Sequence, residues 1–449
     1  MNLISTVRGI IGVGVIIGIA FLFSNNKKRV NWRLVSMGLL IQFTFAVIII
    51  LNEPLRNYFA PFGWPKDLID LIGRGVVSLI GFTTEGSKFV FGKLAINSGS
   101  DSLGFFFAFQ VLPTIIFVSS LTSILYYLGI LQRVVQYMAW LMARLMGTSG
   151  AESLSNTANI FVGQTEAPLI IRPYISTMTQ SELLTIMTGG MATIAGGVMA
   201  AYIQMLGQSF AEVRGLEIDA AQVKFAVQLL AASVMAAPAS LAISKIIYPE
   251  IGEPMTKGIV KLKIEKQGSN LIEAAAMGAS DGLKLAANVA AMLLTFIALI
   301  AMVNYLLLIL GDVTGLNTYL TNIFNKPLSL QLLFGLILQF LAYAIGVPSS
   351  DALNFGSLIG TKVVMNEFVA YLDLSELIKQ GALTEKGVTM ATFALCGFAN
   401  FSSIAIQIGG ISPMAPERRK DLAALGLRAV LGGTLSTLLT ATIAGILIG

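Results

Sequence analysis

Two glutamates stand in the middle of apolar sequence, each with amides close by. Glu166 ends Gly163-Gln164-Thr165-Glu166, with Asn156 and Asn159 just upstream. Glu367 follows Asn366, and Lys362 lies four residues before that asparagine. Two further clusters are Thr193 to Val198, sequence TIAGGV, and Phe398-Ala399-Asn400-Phe401-Ser402-Ser403. An ionisable group in hydrocarbon costs roughly 2.5–3.5 kcal/mol on insertion scales, so such groups usually face a site or a pathway. Carboxylates accept strongly from hydroxyls and ring N–H groups, Gln and Asn donate and accept, and Phe398 offers a flat apolar face. Together they suit a polar, uncharged, polyhydroxylated, ring-bearing ligand. A hard cation such as sodium takes oxygen ligands, which Asn159, Thr193 and carbonyls freed at a broken helix would supply. Each feature also has a plainer use. At solvated loop tips the two glutamates would only cap helices, Gly189-Gly190 and Gly196-Gly197 would serve helix packing, and Phe398 would fill space. Lys362 is free to pair with Asp351, to reach the interface or to meet the ligand.

Composition says what kind of scaffold holds these residues. Of 449 residues 55% are hydrophobic, mean hydropathy is +0.79, and 12% are charged. That is about half the roughly 25% charge of a soluble domain, too little to cover a soluble surface. The chain reads as an all-α polytopic membrane protein. With no histidine and one cysteine, Cys396, it has no His-based dyad, metal site or proton relay, no disulfide framework and no iron–sulfur cluster. An intramembrane hydrolase would need Ser with His or Lys, or two aspartates in neighbouring spans, and Asp281 and Asp351 lie in dissimilar contexts. The residues favour a carrier over an enzyme, and no organic cofactor is implied.

A bilayer core of roughly 30 Å needs about 20 apolar residues. Eight runs qualify: 4–23, 34–51, 104–128, 183–205, 222–247, 287–311, 386–411 and 425–448. The charge after the first run, at Lys27, Lys28, Arg29 and Arg33, marks a retained helix rather than a cleaved leader. With the N-terminus outside, the inside loops receive those residues, then Lys257, Lys261, Lys263 and Lys266, then Arg418, Arg419 and Lys420. The outside loops 206–221 and 312–327 hold only Arg214 and Lys326, so both termini should face out. The basic loops are topology signals and give nucleic-acid binding no support. Segment 54–102 fits no span and is placed outside or at the interface.

Two regions are too broken to span and too apolar to be soluble loops. They run from about 148 to 180 and from about 346 to 373, and each carries one of the glutamates. Each follows an amphipathic or apolar helix, 129–146 or 328–345, and precedes a span opening with Met-Ala-Thr. Glutamate and tripeptide are 25 residues apart in one copy, Glu166 to Met191, and 23 in the other, Glu367 to Met390. The shared order makes an internal repeat: helix, re-entrant hairpin, broken span. By the loop count the two copies are inverted, which is the layout of secondary transporters.

At these residues the sequence resembles the concentrative nucleoside transporters, in their eight-span bacterial form. Residues Gly360 to Tyr371, GTKVVMNEFVAY, match the family signature (G/A)-x-K-x-x-x-N-E-F-V-A-(Y/M/F) throughout. Gly163-Gln164-Thr165-Glu166-Ala167-Pro168 and Asn400-Phe401-Ser402-Ser403 match its other two ligand-binding stretches, and the likeness extends over essentially the whole chain. The resemblance implies a sodium-coupled importer of nucleosides in a bacterial inner membrane, a homotrimer embedded in lipid. Each protomer would have a scaffold and an elevator-like transport domain. On that pattern 1–128 and 248–311 are mainly scaffold, and 129–247 and 312–449 are the two transport repeats. Gln164, Thr165, Glu166 and Val198 would contact the nucleobase. Glu367, Asn400 and Ser403 would hold the ribose, and Phe398 would line the pocket. Asn159, the carbonyls of Val162 and Ile194, and the hydroxyl of Thr193 would coordinate sodium. Position 193 is often serine in the family, and the threonine adds a methyl. Some bacterial relatives run on protons, and a proton-coupled carrier of the same fold is the alternative.

Overall fold

The computed structural model describes residues 3–50, 63–96, 102–257 and 269–448. Lys261, Lys263 and Lys266 of the expected basic loop, and parts of segment 54–102, lie outside the described residues. Helices make up the architecture. Among the described residues the only β feature is an isolated bridge between Ser149 and Lys257. The chain is a multi-pass membrane protein: six described helical segments are long and apolar enough to cross a bilayer.

The first helices are α1 (Leu3–Leu22) and α2 (Trp32–Ile50), which meet the expected runs closely. Segment 54–102 does not stay irregular: Trp64–Phe91 forms α3, opened by a first-turn proline and packed against α9 (Ile218–Ile247). A short helix, Phe107–Gln110, leads into α4 (Leu112–Tyr127). That helix lies along α10 (Leu271–Val313), which has 43 residues and would reach about 65 Å. Gly278 and Gly282 make the contact possible, because a Cβ at Gly282 would meet the Ile116 backbone at 2.8 Å. The apolar run 287–311 understates α10: its first turns carry Glu273, Asp281 and Lys284, which stay exposed and so do not stop the helix.

The amphipathic α5 (Ile130–Met146) is bounded by Gly129 and Gly147, both with φ near +74° and +73°, a backbone only glycine adopts freely. It buries Val135, Ala139, Met142 and Met146, one stripe at helical spacing. Then come α6 (Gly150–Ala158), a turn, and two four-residue helices, Ala167–Ile170 and Arg172–Ile175, each with a proline at its start. The following span is two helices, α7 (Gln180–Ala192) and α8 (Gly196–Arg214), separated by extended backbone at Thr193 and Ala195. Beyond α10 lie α11 (Leu316–Phe324) and α12 (Leu330–Ala344). The second hairpin is α13 (Ala352–Val364) and α14 (Glu367–Lys379), which pack on each other. A second broken span, α15 (Glu385–Leu395) and α16 (Phe401–Ile411), leads to α17 (Arg419–Ile448).

The helix order thus repeats, and two local details repeat with it. Thr193 and Thr392, the threonines of the two Met-Ala-Thr tripeptides, each donate to the carbonyl four residues back, both at 2.9 Å. The root of each hairpin is also fastened to the start of the next broken span. In the first copy Ser149 Oγ donates to Glu182 Oε1 at 2.6 Å, while Ser149–Glu152 and Thr179–Glu182 form reciprocal capping boxes. Lys245 of α9 reaches in to pair with Glu152 at 2.8 Å and Glu250 at 3.1 Å. Removing it would strand buried carboxylates, at about 3–5 kcal/mol. In the second copy the fastening is simpler: Asp351 accepts from the backbone N–H and the hydroxyl of Thr384, at 3.1 and 2.5 Å. Around these elements α7, α8, α9, α15 and α17 are buried on nearly every side, whereas α10 is exposed along most of its length.

Candidate functional site

Glu367 is placed at the mouth of a helix. The turn Met365-Asn366 ends α13, and Asn366 caps α14 by accepting from Val369 N–H at 2.9 Å. The glutamate therefore occupies the first helical position, where the partial positive charge of free N–H groups favours an anion. Burial is nearly complete, and the polar partners compensate it. Tyr202 of α8 donates its hydroxyl to Oε1 at 3.1 Å, and Asn400 donates its amide to Oε2 at 3.1 Å. Asn400 is in turn fixed as the cap of α16, its Oδ1 accepting from Ser403 N–H at 2.9 Å and Ser402 Oγ at 2.7 Å. Both carboxylate oxygens keep lone pairs free for further donors.

On the other side stands the first turn. Gln164 donates to Ser403 Oγ at 3.1 Å and accepts from Gln407 at 3.0 Å. Gln407 itself donates to the Met187 carbonyl at 2.9 Å, so the amide orientation of Gln164 is set from α16. Glu166 is exposed, and its Oε2 accepts from Gly163 N–H at 3.0 Å within its own turn. Gln164, Thr165, Glu166, Val198, Glu367, Phe398, Asn400 and Ser403 all line one cavity. An apolar part of its wall comes from α10: Leu285, Val289, Met292 and Leu293. A cavity lined by carboxylates, amides, hydroxyls and aliphatic side chains suits a ligand with polar edges and an apolar face.

Behind that cavity lie the expected ion ligands. Asn159 is fully buried, and neither its Oδ1 nor its Nδ2 has a hydrogen-bond partner. Orphaned amide atoms at such depth cost about 1–3 kcal/mol unless something binds them. The turn that carries Asn159 sits against the break in the span, since Gly196 N–H donates to the Phe161 carbonyl at 3.3 Å. The break places Thr193 Oγ, which donates to Gly189 and keeps lone pairs, beside the Ile194 carbonyl in chain order. Among the described residues no side chain donates to the Thr193 or Ile194 carbonyl. Amide, hydroxyl and carbonyl oxygens of this kind fit a small hard cation.

The geometry corrects one expectation. Lys362 neither pairs with Asp351 nor reaches the interface, because Asp351 is committed to Thr384 and Lys362 is fully buried. It donates to the Ala394 carbonyl at 2.8 Å and to Thr437 Oγ at 3.0 Å.

Comparison with known proteins decides the family. Profiles described as "Na+ dependent nucleoside transporter" match at both ends, N-terminus over residues 11–94 and C-terminus over 228–445, with "Nucleoside recognition" over 108–209. The rat "Sodium/nucleoside cotransporter 1" is 41% identical over 97% of this chain and 63% of its own length. The chain belongs to the concentrative nucleoside transporter family. An "Uncharacterized transporter" of Haemophilus influenzae is 45% identical over 99% of this chain and 98% of its own. Among solved structures, CNTnw in an inward-facing substrate-bound state matches with TM-score 0.83 and 40% identity over 99% of both chains. A doubly substituted variant of CNTnw in an outward-facing state matches with TM-score 0.82 and 39% identity over 99% of this chain and 98% of that one. The relatives are transporters, not enzymes, and a concentrative nucleoside transporter needs no catalytic dyad.

Sequence reasoning missed Tyr202, Gln407 and the α10 wall. Tyr202 and Gln407 each stand in an apolar stretch of their helices, outside the clusters that the sequence marks. Their helical offset from a flagged residue was the available signal: Tyr202 lies one turn after Val198, and Gln407 one turn after Ser403.

Proposed function

We propose that this chain is a sodium-coupled nucleoside importer that works by alternating access. The observation that carries the reading is Glu367, held by Tyr202 and Asn400 across one cavity from Gln164. Glu367, Asn400 and Ser403 take the ribose hydroxyls, where a carboxylate and an amide accept and donate at fixed positions. Gln164, Thr165 and Glu166 meet the polar edge of the nucleobase, with Val198 and Phe398 against its faces. Sodium binds at Asn159, Thr193 Oγ and the carbonyls of Val162 and Ile194, satisfying the orphaned amide. The ion would order the turn that ends in Gln164-Thr165-Glu166, so ion and nucleoside each raise the other's affinity by the same factor. Inverted repeats with re-entrant hairpins suit an elevator in which 129–247 and 312–449 move against 1–128 and 248–311. The long exposed face of α10 fits a homotrimer contact and lipid. The basic loops favour an arrangement with both termini outside a bacterial inner membrane.

Uridine uptake into proteoliposomes tests the reading. Saturable uptake that needs an inward sodium gradient and is competed by other nucleosides is expected. Uptake that ignores sodium and follows a pH gradient would make the carrier proton-coupled, and conductance without saturation would make it a channel.

A further inference from the structure

In the first repeat the half-helix α7 ends at Ala192, and the break after it lies against the turn that follows Asn159, Gly196 N–H donating to the Phe161 carbonyl. The C-terminal end of a helix carries partial negative charge and favours a cation. Asn159 has two unpartnered amide atoms there, and among the described residues no side chain donates to the carbonyls of Thr193 or Ile194. The second repeat has the corresponding half-helix, α15, which runs four residues further past its Met-Ala-Thr tripeptide before it breaks at Cys396, and two of its last carbonyls are occupied by side chains. Tyr371 donates its hydroxyl to the Thr392 carbonyl at 2.8 Å, and Lys362 donates its ammonium to the Ala394 carbonyl at 2.8 Å. Both donors come from the second hairpin, Lys362 on the arm before its turn, as Asn159 is on the arm before the first. Lys362 is fully buried, its other hydrogen bond is to a threonine hydroxyl, and among the described residues no carboxylate hydrogen-bonds to it. A buried ammonium held by oxygens alone has the coordination of a bound cation.

We propose that the ammonium of Lys362 is a tethered cation: in the second repeat it fills the place that sodium takes in the first, closing that break without an ion. This rests on the reading of the first repeat as a sodium site. It divides the labour between the copies: one break opens and closes with ion binding, and the other is permanently loaded. Lys362 thereby positions the end of α15 and, through the turn at Cys396 to Phe398, the Asn400 cap that holds Glu367.

The test uses Lys362→Ala and Lys362→Met in the full-length carrier reconstituted in proteoliposomes. Lys362→Ala leaves space and carbonyls for a free cation, so uridine uptake should fall at least tenfold and recover several-fold in tens of millimolar methylammonium. Lys362→Met fills that space without charge, so uptake should fall and methylammonium should not restore it. Sodium-dependent thermal stabilisation of Lys362→Met should keep the wild-type midpoint, because the first repeat is untouched. Wild-type uptake by Lys362→Met overturns the proposal, as does a Lys362→Ala protein that methylammonium leaves unchanged. A lost sodium response in Lys362→Met also overturns it, marking a general packing lesion. Where Lys362→Ala does not fold, Lys362→Met alone decides. Wild-type protein measured beside them separates the two claims: its failure to take up uridine with sodium would sink the carrier reading instead.

Discussion

The two hairpins present the same cavity with opposite characters. At the second turn Glu367 is buried, sits on a helix N-terminus and is held from two sides by Tyr202 and Asn400. At the first turn Glu166 is exposed and bonded only within its own loop, while Gln164 is steered from α16 by Gln407. One end is preformed and would select a fixed pattern of hydroxyls. The other has an amide fixed by Gln407 beside an exposed carboxylate, Glu166, that can turn to suit more than one partner. This division suits nucleosides, whose sugar is constant and whose base varies. Preorganised charge discriminates strongly because a missing partner leaves a buried polar group unpaired.

Substitutions can break or sharpen this contrast. The largest effect is expected at the fixed end: Glu367→Gln should lower apparent uridine affinity by roughly 100-fold, the loss of a buried charged hydrogen bond worth about 3 kcal/mol. Preference for uridine over its deoxy analogues should shrink in the same competition assay, and an unchanged preference would remove Glu367 from the sugar site. Next is the ion pocket, where Asn159→Ala should raise the sodium concentration for half-maximal uptake by about tenfold. An unshifted sodium curve would disconnect the orphaned amide from coupling. Tyr202→Phe removes one of two clamps on Glu367 and should weaken uridine by about fivefold, near 1 kcal/mol, with the sodium curve unmoved. A shifted sodium curve would mean that the two ends are not separable. Smallest is Gln407→Ala, which frees Gln164 to turn. Uridine affinity should change by less than about threefold, while the ranking of nucleosides in competition broadens.

Much of this was legible in the residues. Apolar runs located most helices, the prolines and glycines located the breaks, and polar clusters in apolar sequence located every side chain expected at the cavity. The failures have physical causes. Helix α10 runs 43 residues because exposed charges end an apolar run without ending a helix. Trp64–Phe91 was hidden because its helix is amphipathic and carries Lys66, Asp70 and Arg74 along it. The partner of Lys362 could not be read at all. It is a backbone carbonyl freed by a break 32 residues away, and carbonyls have no letter in a sequence. The buried Glu152–Lys245 pair escaped for a related reason, since its members lie on helices far apart in the chain.

The fastened roots of the hairpins limit how this protein can move. Ser149 and Glu182, like Asp351 and Thr384, join each hairpin to its following span at the end far from the turns. Parting them would leave buried carboxylates without their donors, so the roots behave as fixed hinges and travel with their spans. Any door onto the cavity must then swing from its free edge, at Gly163 to Glu166 or Met365 to Glu367. Both edges are latched to α16, the first through Gln164 and the second through Glu367, which is also held by α8; at the first edge Glu166 alone bonds only within its own loop.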